Sequence, residues 1–182
     1  GYTYSDAYLN TELFIGSQQY RYDTSWIPYN QAFQSVLTEQ GIQNLNNSVN
    51  VLDDEGATRT DLGIEMAGNV FNAYASDYEE TAPKRNKVVI VFTDGEPNDQ
   101  TGFDDDVADA AISNAKGLKN TGATVYTIGI FDNADGSIPD NIGDLSDANK
   151  FMHLVSSNYP NATAMDSPGS INSSLENTSY YL

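Results

Sequence analysis

The sequence predicts an α/β fold with a parallel sheet, and two observations carry that prediction. The first is a run of five apolar residues, Val88 to Phe92, which is too short for a buried helix and lacks the alternation of a half-exposed strand. We therefore expect a strand that is buried on both faces. The second is the order strand, helix, strand up to Phe131 with short connections, which indicates a right-handed parallel crossover.

Composition and charge narrow the class of protein. The 182 residues are 39% hydrophobic, which is enough for one globular domain over residues 1–182, and the net charge is -18. Because the chain is so acidic, phosphate groups would repel it, and we expect it to bind no nucleic acid. No apolar run is long enough to cross a bilayer, so we expect no membrane insertion. Cysteine is absent, which excludes disulfides and cysteine nucleophiles and favours a bacterial exported protein.

The first sixty residues predict a mixed segment followed by helices. Residues 1–30 are rich in polar loop residues and contain one strand-like run, Thr11 to Ile15, so we expect strands and loops there. Apolar residues then recur at helical spacing around Phe33 and again after Gly41, which predicts two short helices or one helix kinked at that glycine. The next helix follows an acidic loop, and one of three side chains is expected to cap it: Thr58, Thr60 or Asp61.

The second half of the chain predicts the elements around the central strand. The strand ends in a turn at Asp94, and a helix follows up to about Lys119, with three aspartates, residues 104–106, in its first turn. A second strand is expected at Ala123 to Phe131, and then a helix capped by Asp144, Ser146 or Asp147. His153 is interpreted as a partly buried residue of that helix without a catalytic role. A last strand is expected to begin near Tyr180.

Two motifs in this order resemble a known family. Residues 56–63 read Gly-Ala-Thr-Arg-Thr-Asp-Leu-Gly, and residues 88–98 read Val-Val-Ile-Val-Phe-Thr-Asp-Gly-Glu-Pro-Asn. Together they look like a von Willebrand factor type A domain, of the kind found in surface proteins and pilus-tip adhesins of Gram-positive bacteria. The resemblance implies a doubly wound, mostly parallel sheet with helices on both faces. It also implies a non-enzymatic adhesion module in the cell wall or on the cell surface.

The resemblance further implies a metal-ion-dependent adhesion site at the carboxyl edge of the sheet. Carried over to this sequence, the metal ligands are Thr58 and Asp94, and Thr60, Glu96 and Asn98 lie at the rim. Oxygen ligands of this kind suit a divalent cation, Mg²⁺ first, with Ca²⁺ and Mn²⁺ as alternatives. In the family, such an ion accepts an acidic side chain of a host or matrix protein. The alternative is that Thr58 only caps a helix and Asp94 only completes a turn.

One element of the family pattern is missing from this sequence. The family's third metal loop reads D-x-S-x-S, and the nearest matches here, residues 23–27 and 166–170, each depart from it. We therefore expect an incomplete fold without the family's first strand and final helix, and a complementing segment that carries D-x-S-x-S. The chain alone is expected to be poorly stable or to self-associate, and to bind metal weakly. A structural stalk domain with a degenerate site and a metal-dependent hydrolase remain the alternative functions.

Overall fold

A computed structural model of the chain describes residues 38–50, 57–78, 86–94, 96–99, 102–174 and 176–181. The chain divides into two compact units, one formed by residues 58–68 and 82–182 and the other by residues 1–57 and 69–81. The predicted strand at Thr11 to Ile15 and the predicted helix around Phe33 lie outside the described residues. That residues 1–182 form a single domain stays a prediction.

Helix α1 (Glu39–Asn50) belongs to the second of these units. Thr38 begins it, because its hydroxyl oxygen accepts a hydrogen bond from the backbone N–H of Gly41 at 3.1 Å. The helix runs through Gly41, where the sequence predicted a junction or a kink. Helix α2 (Thr60–Tyr78) follows the extended residues 57–59 and begins at the position that the sequence indicated.

The described sheet has three parallel strands in the order β1-β2-β3. Strand β1 spans Val88–Thr93, β2 spans Thr124–Gly129 and β3 spans Ser179–Tyr181. Val88 is paired with Thr124, and Ile128 is paired with Tyr180. The predicted parallel crossover and the predicted last strand are therefore confirmed. This open parallel sheet, flanked by helices, is consistent with a Rossmann-like α/β fold.

Helices α3 (Asp105–Asn120) and α4 (Asp147–Val155) pack on one face of this sheet. The side chains of Val125 and Thr127, which point to that face from β2, are 0% exposed. The helix ends follow the sequence signals with one change, because Asp104, which the sequence placed in the first turn of α3, lies just before the helix. Asp104 caps α3 by accepting from two backbone N–H groups, Ser146 caps α4, and Gly122 with φ of 84° follows the end of α3.

The sequence predicted that β1 is buried on both faces, and this is wrong for the face that points away from α3 and α4. Val88, Ile90 and Phe92 are 50%, 61% and 59% exposed, whereas Val89 and Val91, on the helix-covered face, are half-buried. The exposure of this face follows from how the elements pack in the tertiary structure. In the described part of the chain, β1 is the edge strand of the sheet and no helix packs over its outer face.

A buried lysine joins the carboxyl ends of α3 and α4. The ammonium group of Lys119 donates to the backbone carbonyls of Leu154, Ser156 and Tyr159 at 2.9, 3.0 and 2.9 Å. These carbonyls lie at and beyond the last turn of α4, where the helix dipole favours a cation. Burial, aided by the positive charge of Lys116, lowers the pKa of Lys119 to about 7.

His153 is more deeply buried than the sequence indicated, at 0% exposed. Its Nδ1 lies 3.0 Å from the amide nitrogen of Asn158, whose amide oxygen accepts from the backbone N–H of Thr178 at 2.8 Å. Because that oxygen faces Thr178, the amide nitrogen must donate to Nδ1, which places the imidazole proton on Nε2. Burial lowers the pKa of His153, while the backbone and carboxylate of Asp135 oppose the shift. The imidazole is therefore a neutral part of the core.

No helix in the described ranges is long and apolar enough to cross a membrane.

Candidate functional site

The first side of the candidate site is the start of helix α2. The carbonyl oxygen of Thr58 accepts from the backbone N–H of Thr60 and from that of Asn98, both at 3.0 Å. The backbone N–H of Thr58 donates to the side-chain oxygen of Asn98 at 3.4 Å. Within the described residues, every hydrogen bond of Thr58 therefore uses its backbone.

Arg59 fixes the same turn. Its Nε and Nη2 atoms donate to the two carboxylate oxygens of Asp61 at 2.9 and 2.7 Å, and its Nη1 lies 3.7 Å from a carboxylate oxygen of Asp99. Asp61 is 6% exposed, so its charge needs this two-pronged partner. Asp61 was one of three residues that the sequence offered as the cap of the helix, and its carboxylate instead binds the arginine two residues before it.

The second side of the site is the turn after strand β1. Thr93 ends the strand and is buried, and Asp94 and Glu96, which follow, are exposed. Pro97 is buried, and its carbonyl accepts from the backbone N–H of Asp104, the cap of α3, at 2.9 Å. The turn is thereby anchored to the next helix, while its carboxylates face solvent.

Asn98 connects the two sides. Its amide nitrogen donates to the carbonyl of Glu96 at 2.8 Å, and its side chain and backbone both bond to Thr58. The sequence placed Asn98 only at the rim, and its role as the bridge between the two loops was missed. The signal was present, because an asparagine after Pro97 is a residue type that hydrogen-bonds neighbouring backbone in turns.

Thr60 carries an unusual oxygen atom. Its Oγ1 is buried and has no hydrogen-bond partner among the residues that the structure describes. Thr58, Thr60 and Thr93 line one groove between the start of α2 and strand β1. Because buried hydroxyls are normally paired, an unpaired hydroxyl at a predicted site offers oxygen lone pairs that could bind a cation and an O–H that could donate to a water molecule.

The electrostatic balance at this edge is acidic. The exposed carboxylates of Asp94, Glu96 and Asp99 outnumber the guanidinium of Arg59, which Asp61 already neutralises. The described residues nevertheless contain no group of three or more histidine or acidic side chains close enough to hold a metal ion. A cation at this edge would therefore need hydroxyl groups or water among its ligands.

A comparison with family models decides the family. The model described as the von Willebrand factor type A domain matches residues 18–168. The chain belongs to this family. Searches of curated proteins and of solved structures returned no match. The resemblance that the two sequence motifs predicted is thus confirmed.

Von Willebrand factor type A domains are generally non-enzymatic modules that bind other proteins. Of the five site residues that the sequence predicted, the structure joins Thr58, Thr60 and Asn98 by hydrogen bonds. Asp94 and Glu96 lie on the adjoining turn, and neither carboxylate bonds to Thr58 within the described residues. Their assignment as metal ligand and rim residue stays a prediction.

Proposed function

We propose that this domain is a cell-surface adhesion module that binds a partner protein through a divalent cation. Thr58 and Asp94 hold the ion, and Thr60, Glu96 and Asn98 surround it. Mg²⁺ is the expected metal because the ligands are hydroxyl, carboxylate and water oxygens, and Ca²⁺ or Mn²⁺ are the alternatives. The observation that carries the proposal is the buried hydroxyl of Thr60, which has no hydrogen-bond partner among the described residues and lies in a groove that Thr58 also lines.

The residues around the site hold the ligands rather than react. Asn98 keeps the Thr58 turn and the Asp94 turn together, and the pairing of Arg59 with Asp61 fixes the first turn of α2. The surplus of carboxylates at this edge attracts a cation. With few charged protein ligands, a bound cation keeps positive charge and an open position, which suit an acidic side chain from the partner.

The proposed partner is a host or matrix protein, and the proposed location is the exterior of a bacterium, on its surface or in its cell wall. A segment carrying D-x-S-x-S, which would supply the third metal loop, is part of the same proposal. In the described part of the chain no three acidic or histidine side chains converge on one point, and this favours a second candidate, a structural domain whose metal site is degenerate. These two candidates differ in whether metal changes binding.

Calorimetric titration of the 182-residue chain with MgCl₂, MnCl₂ and CaCl₂ tests the metal. We expect weak saturable binding that Asp94→Asn removes, because the substitution keeps the shape of the side chain and deletes its charge. Asp132→Asn is the matched control, since Asp132 is also exposed in a turn that follows a strand of this sheet. An Asp94→Asn variant that binds metal like the original chain would overturn the ligand assignment.

Binding to immobilised matrix proteins in Mg²⁺ and in EDTA separates adhesion from a structural role. Binding that needs Mg²⁺ and disappears in Asp94→Asn, but not in Asp132→Asn, supports adhesion. Binding that is equal in both buffers contradicts a metal-dependent mechanism.

A further inference from the structure

The imidazole of His153 belongs to a buried hydrogen-bond network that holds the start of strand β3. His153, Asn158, Thr178 and Ser179 are each at most 2% exposed. The side-chain oxygen of Asn158 accepts from the backbone N–H and from the hydroxyl of Thr178, both at 2.8 Å. The amide nitrogen of Asn158 lies 3.0 Å from Nδ1 of His153, 2.9 Å from the side-chain oxygen of Asn177 and 3.3 Å from the hydroxyl of Ser179. One amide group therefore joins the end of α4 to β3.

Strand β3 depends on this amide because the strand itself is short. It consists of three residues, Ser179–Tyr181, which pair with β2. Just before them, the carbonyl of Thr178 accepts from the backbone N–H of Thr127 on β2 at 2.9 Å. Thr178 is thus bonded to the sheet through its carbonyl and to Asn158 through its N–H and hydroxyl. Loss of the Asn158 bonds would release the residue that leads into the strand.

Protonation of the imidazole is incompatible with this arrangement. In the neutral ring Nδ1 accepts a hydrogen bond, whereas in the cation both ring nitrogens are donors. The Nδ1–H of His153 would then face the amide N–H of Asn158. Rotating the amide by half a turn would bring its oxygen to Nδ1, but the backbone N–H of Thr178 would lose the acceptor that it has in the structure. That N–H cannot become an acceptor, and its burial keeps water from replacing the lost bond.

The imidazole faces the charged group of Asp135, in the loop after β2. Burial lowers the pKa of His153, and the backbone and carboxylate of Asp135 together with the backbone of Ser137 oppose that shift. The hydroxyl and the backbone N–H of Ser137 donate to the Asp135 carboxylate and lower its pKa, so it stays charged while the histidine titrates. The elements packed around the imidazole also carry Lys119 on α3, Thr127 on β2, Ser179 on β3, and Asp147 and Lys150 on α4 itself. The charge of Asp135 therefore raises the pH at which the buried ring takes up a proton.

We propose that His153 and Asn158 form a pH-sensitive switch that controls the pairing of strand β3 with β2. At neutral pH the imidazole accepts from the amide, the amide binds Thr178, and β3 stays in the sheet. On acidification the imidazole takes up a proton, the amide can no longer satisfy both neighbours, and Thr178 separates from β2 with the strand that follows it. The pairing of β1 with β2 does not use this amide and persists. The switch needs no metal and is independent of the proposed adhesion site.

NMR of the isotope-labelled 182-residue chain in EDTA, taken from neutral pH downwards, tests the switch. The imidazole signal of His153 reports its protonation, and hydrogen exchange, corrected for the intrinsic effect of pH, reports the pairing of single amides. The Thr127 amide bonds to the carbonyl of Thr178, whereas the Thr124 amide bonds to that of Lys87 on the β1 side. As His153 titrates, the protection of the Thr127 and Thr178 amides should fall at least tenfold. The protection of Thr124 should not change, and it is the internal control because global unfolding would remove it as well.

Two substitutions separate this switch from a general sensitivity to acid. His153→Asn places a side-chain oxygen near the position of Nδ1 and cannot titrate, so the protection of Thr178 should no longer change in this pH range. Asp135→Asn removes the charge that faces the imidazole, so the titration of His153 and the loss of protection should both move to lower pH. Asp132→Asn removes an exposed charge from the same loop, and this matched control should leave both unchanged.

Any of three results would overturn the proposal. The first is full protection of Thr127 and Thr178 after His153 has taken up its proton. The second is loss of the Thr124 protection at the same pH or before His153 titrates, because the chain would then unfold as a whole. The third is a loss of Thr178 protection that keeps its pH in both the His153→Asn and the Asp135→Asn variants.

Discussion

Replacing Thr60 by valine separates a structural from a ligand-binding role for its hydroxyl group. The two side chains have the same shape and similar helix propensity, so the substitution removes little except the buried oxygen. A buried hydroxyl without a partner costs about 1–3 kcal/mol, and Thr60 Oγ1 is such an atom. We therefore expect Thr60→Val to raise the free energy of unfolding by roughly 1 kcal/mol in EDTA, which corresponds to about 2–4 °C in Tm.

The expectation reverses when the cation is added. Mg²⁺ at about 100 times its Kd would stabilise the original chain by roughly 2.7 kcal/mol. If the Thr60 hydroxyl supports the ion or its water, the valine variant should bind Mg²⁺ about tenfold more weakly, so it should gain about 1.4 kcal/mol less. Calorimetric melting in EDTA and in MgCl₂ measures both effects on the same sample.

Thr121→Val is the control, because it should change the free energy of unfolding in the opposite direction. The Thr121 hydroxyl donates to the carbonyl of Leu118 at 2.8 Å, so its removal should lower stability by about 1 kcal/mol and leave the response to Mg²⁺ unchanged. The reasoning is refuted if Thr60→Val loses stability in EDTA as Thr121→Val does, since the Thr60 oxygen would then have a partner. Equal stabilisation of both chains by Mg²⁺ would refute the ligand role.

Three further predictions concern Asn98, which bridges the two loops, and the two buried titratable side chains, Lys119 and His153. Asn98→Ala should lower the free energy of unfolding by about 1–2 kcal/mol and weaken Mg²⁺ binding. Asn98→Asp keeps the oxygen that accepts from the Thr58 N–H, so it should lose less stability. Melting curves measure the stability, and metal titration measures the Mg²⁺ affinity. The pKa of Lys119 is about 7 in the folded chain and 10.5 in the unfolded chain. Between these two pH values the unfolded chain binds more protons, so the free energy of unfolding should rise with pH. Compared with Lys119→Met, the rise should be a few kcal/mol at most. A stability difference that stays flat with pH would mean that the three carbonyls retain the proton. His153 also has a lowered pKa, so its contribution is complete above 6.5 and is lost as pH falls; its imidazole NMR signal should titrate below that value.

The elements around the sheet were predictable because their signals are local. Apolar runs gave β1 and β2, helical spacing gave α3 and α4, and residues such as Asp104 and Gly122 have preferences that act within one turn. The exposed face of β1 was not predictable in this way. Whether a run of valine and isoleucine is covered depends on what packs over it, and that is a property of distant parts of the chain.

For the candidate site as well, the sequence predicted the local features and missed those that depend on tertiary contacts. The motifs identified the family and named Thr58, Asp94 and their neighbours, because the family pattern is written in residue types at fixed spacing. The motifs did not reveal that Asn98 hydrogen-bonds Thr58, that Arg59 neutralises Asp61, or that the Thr60 hydroxyl is unpaired. Each of these depends on the distance between loops or on the burial of single atoms.

By itself, the sequence determined the α/β class, the parallel crossover and the family, because periodicity, turn residues and motif spacing are encoded along the chain. Only the tertiary structure decided which face of β1 is open and how Lys119 and His153 are buried. Those features arise where segments far apart in sequence meet. Hydrogen bonds and desolvation act over a few ångströms, so their partners are known only once the chain has folded.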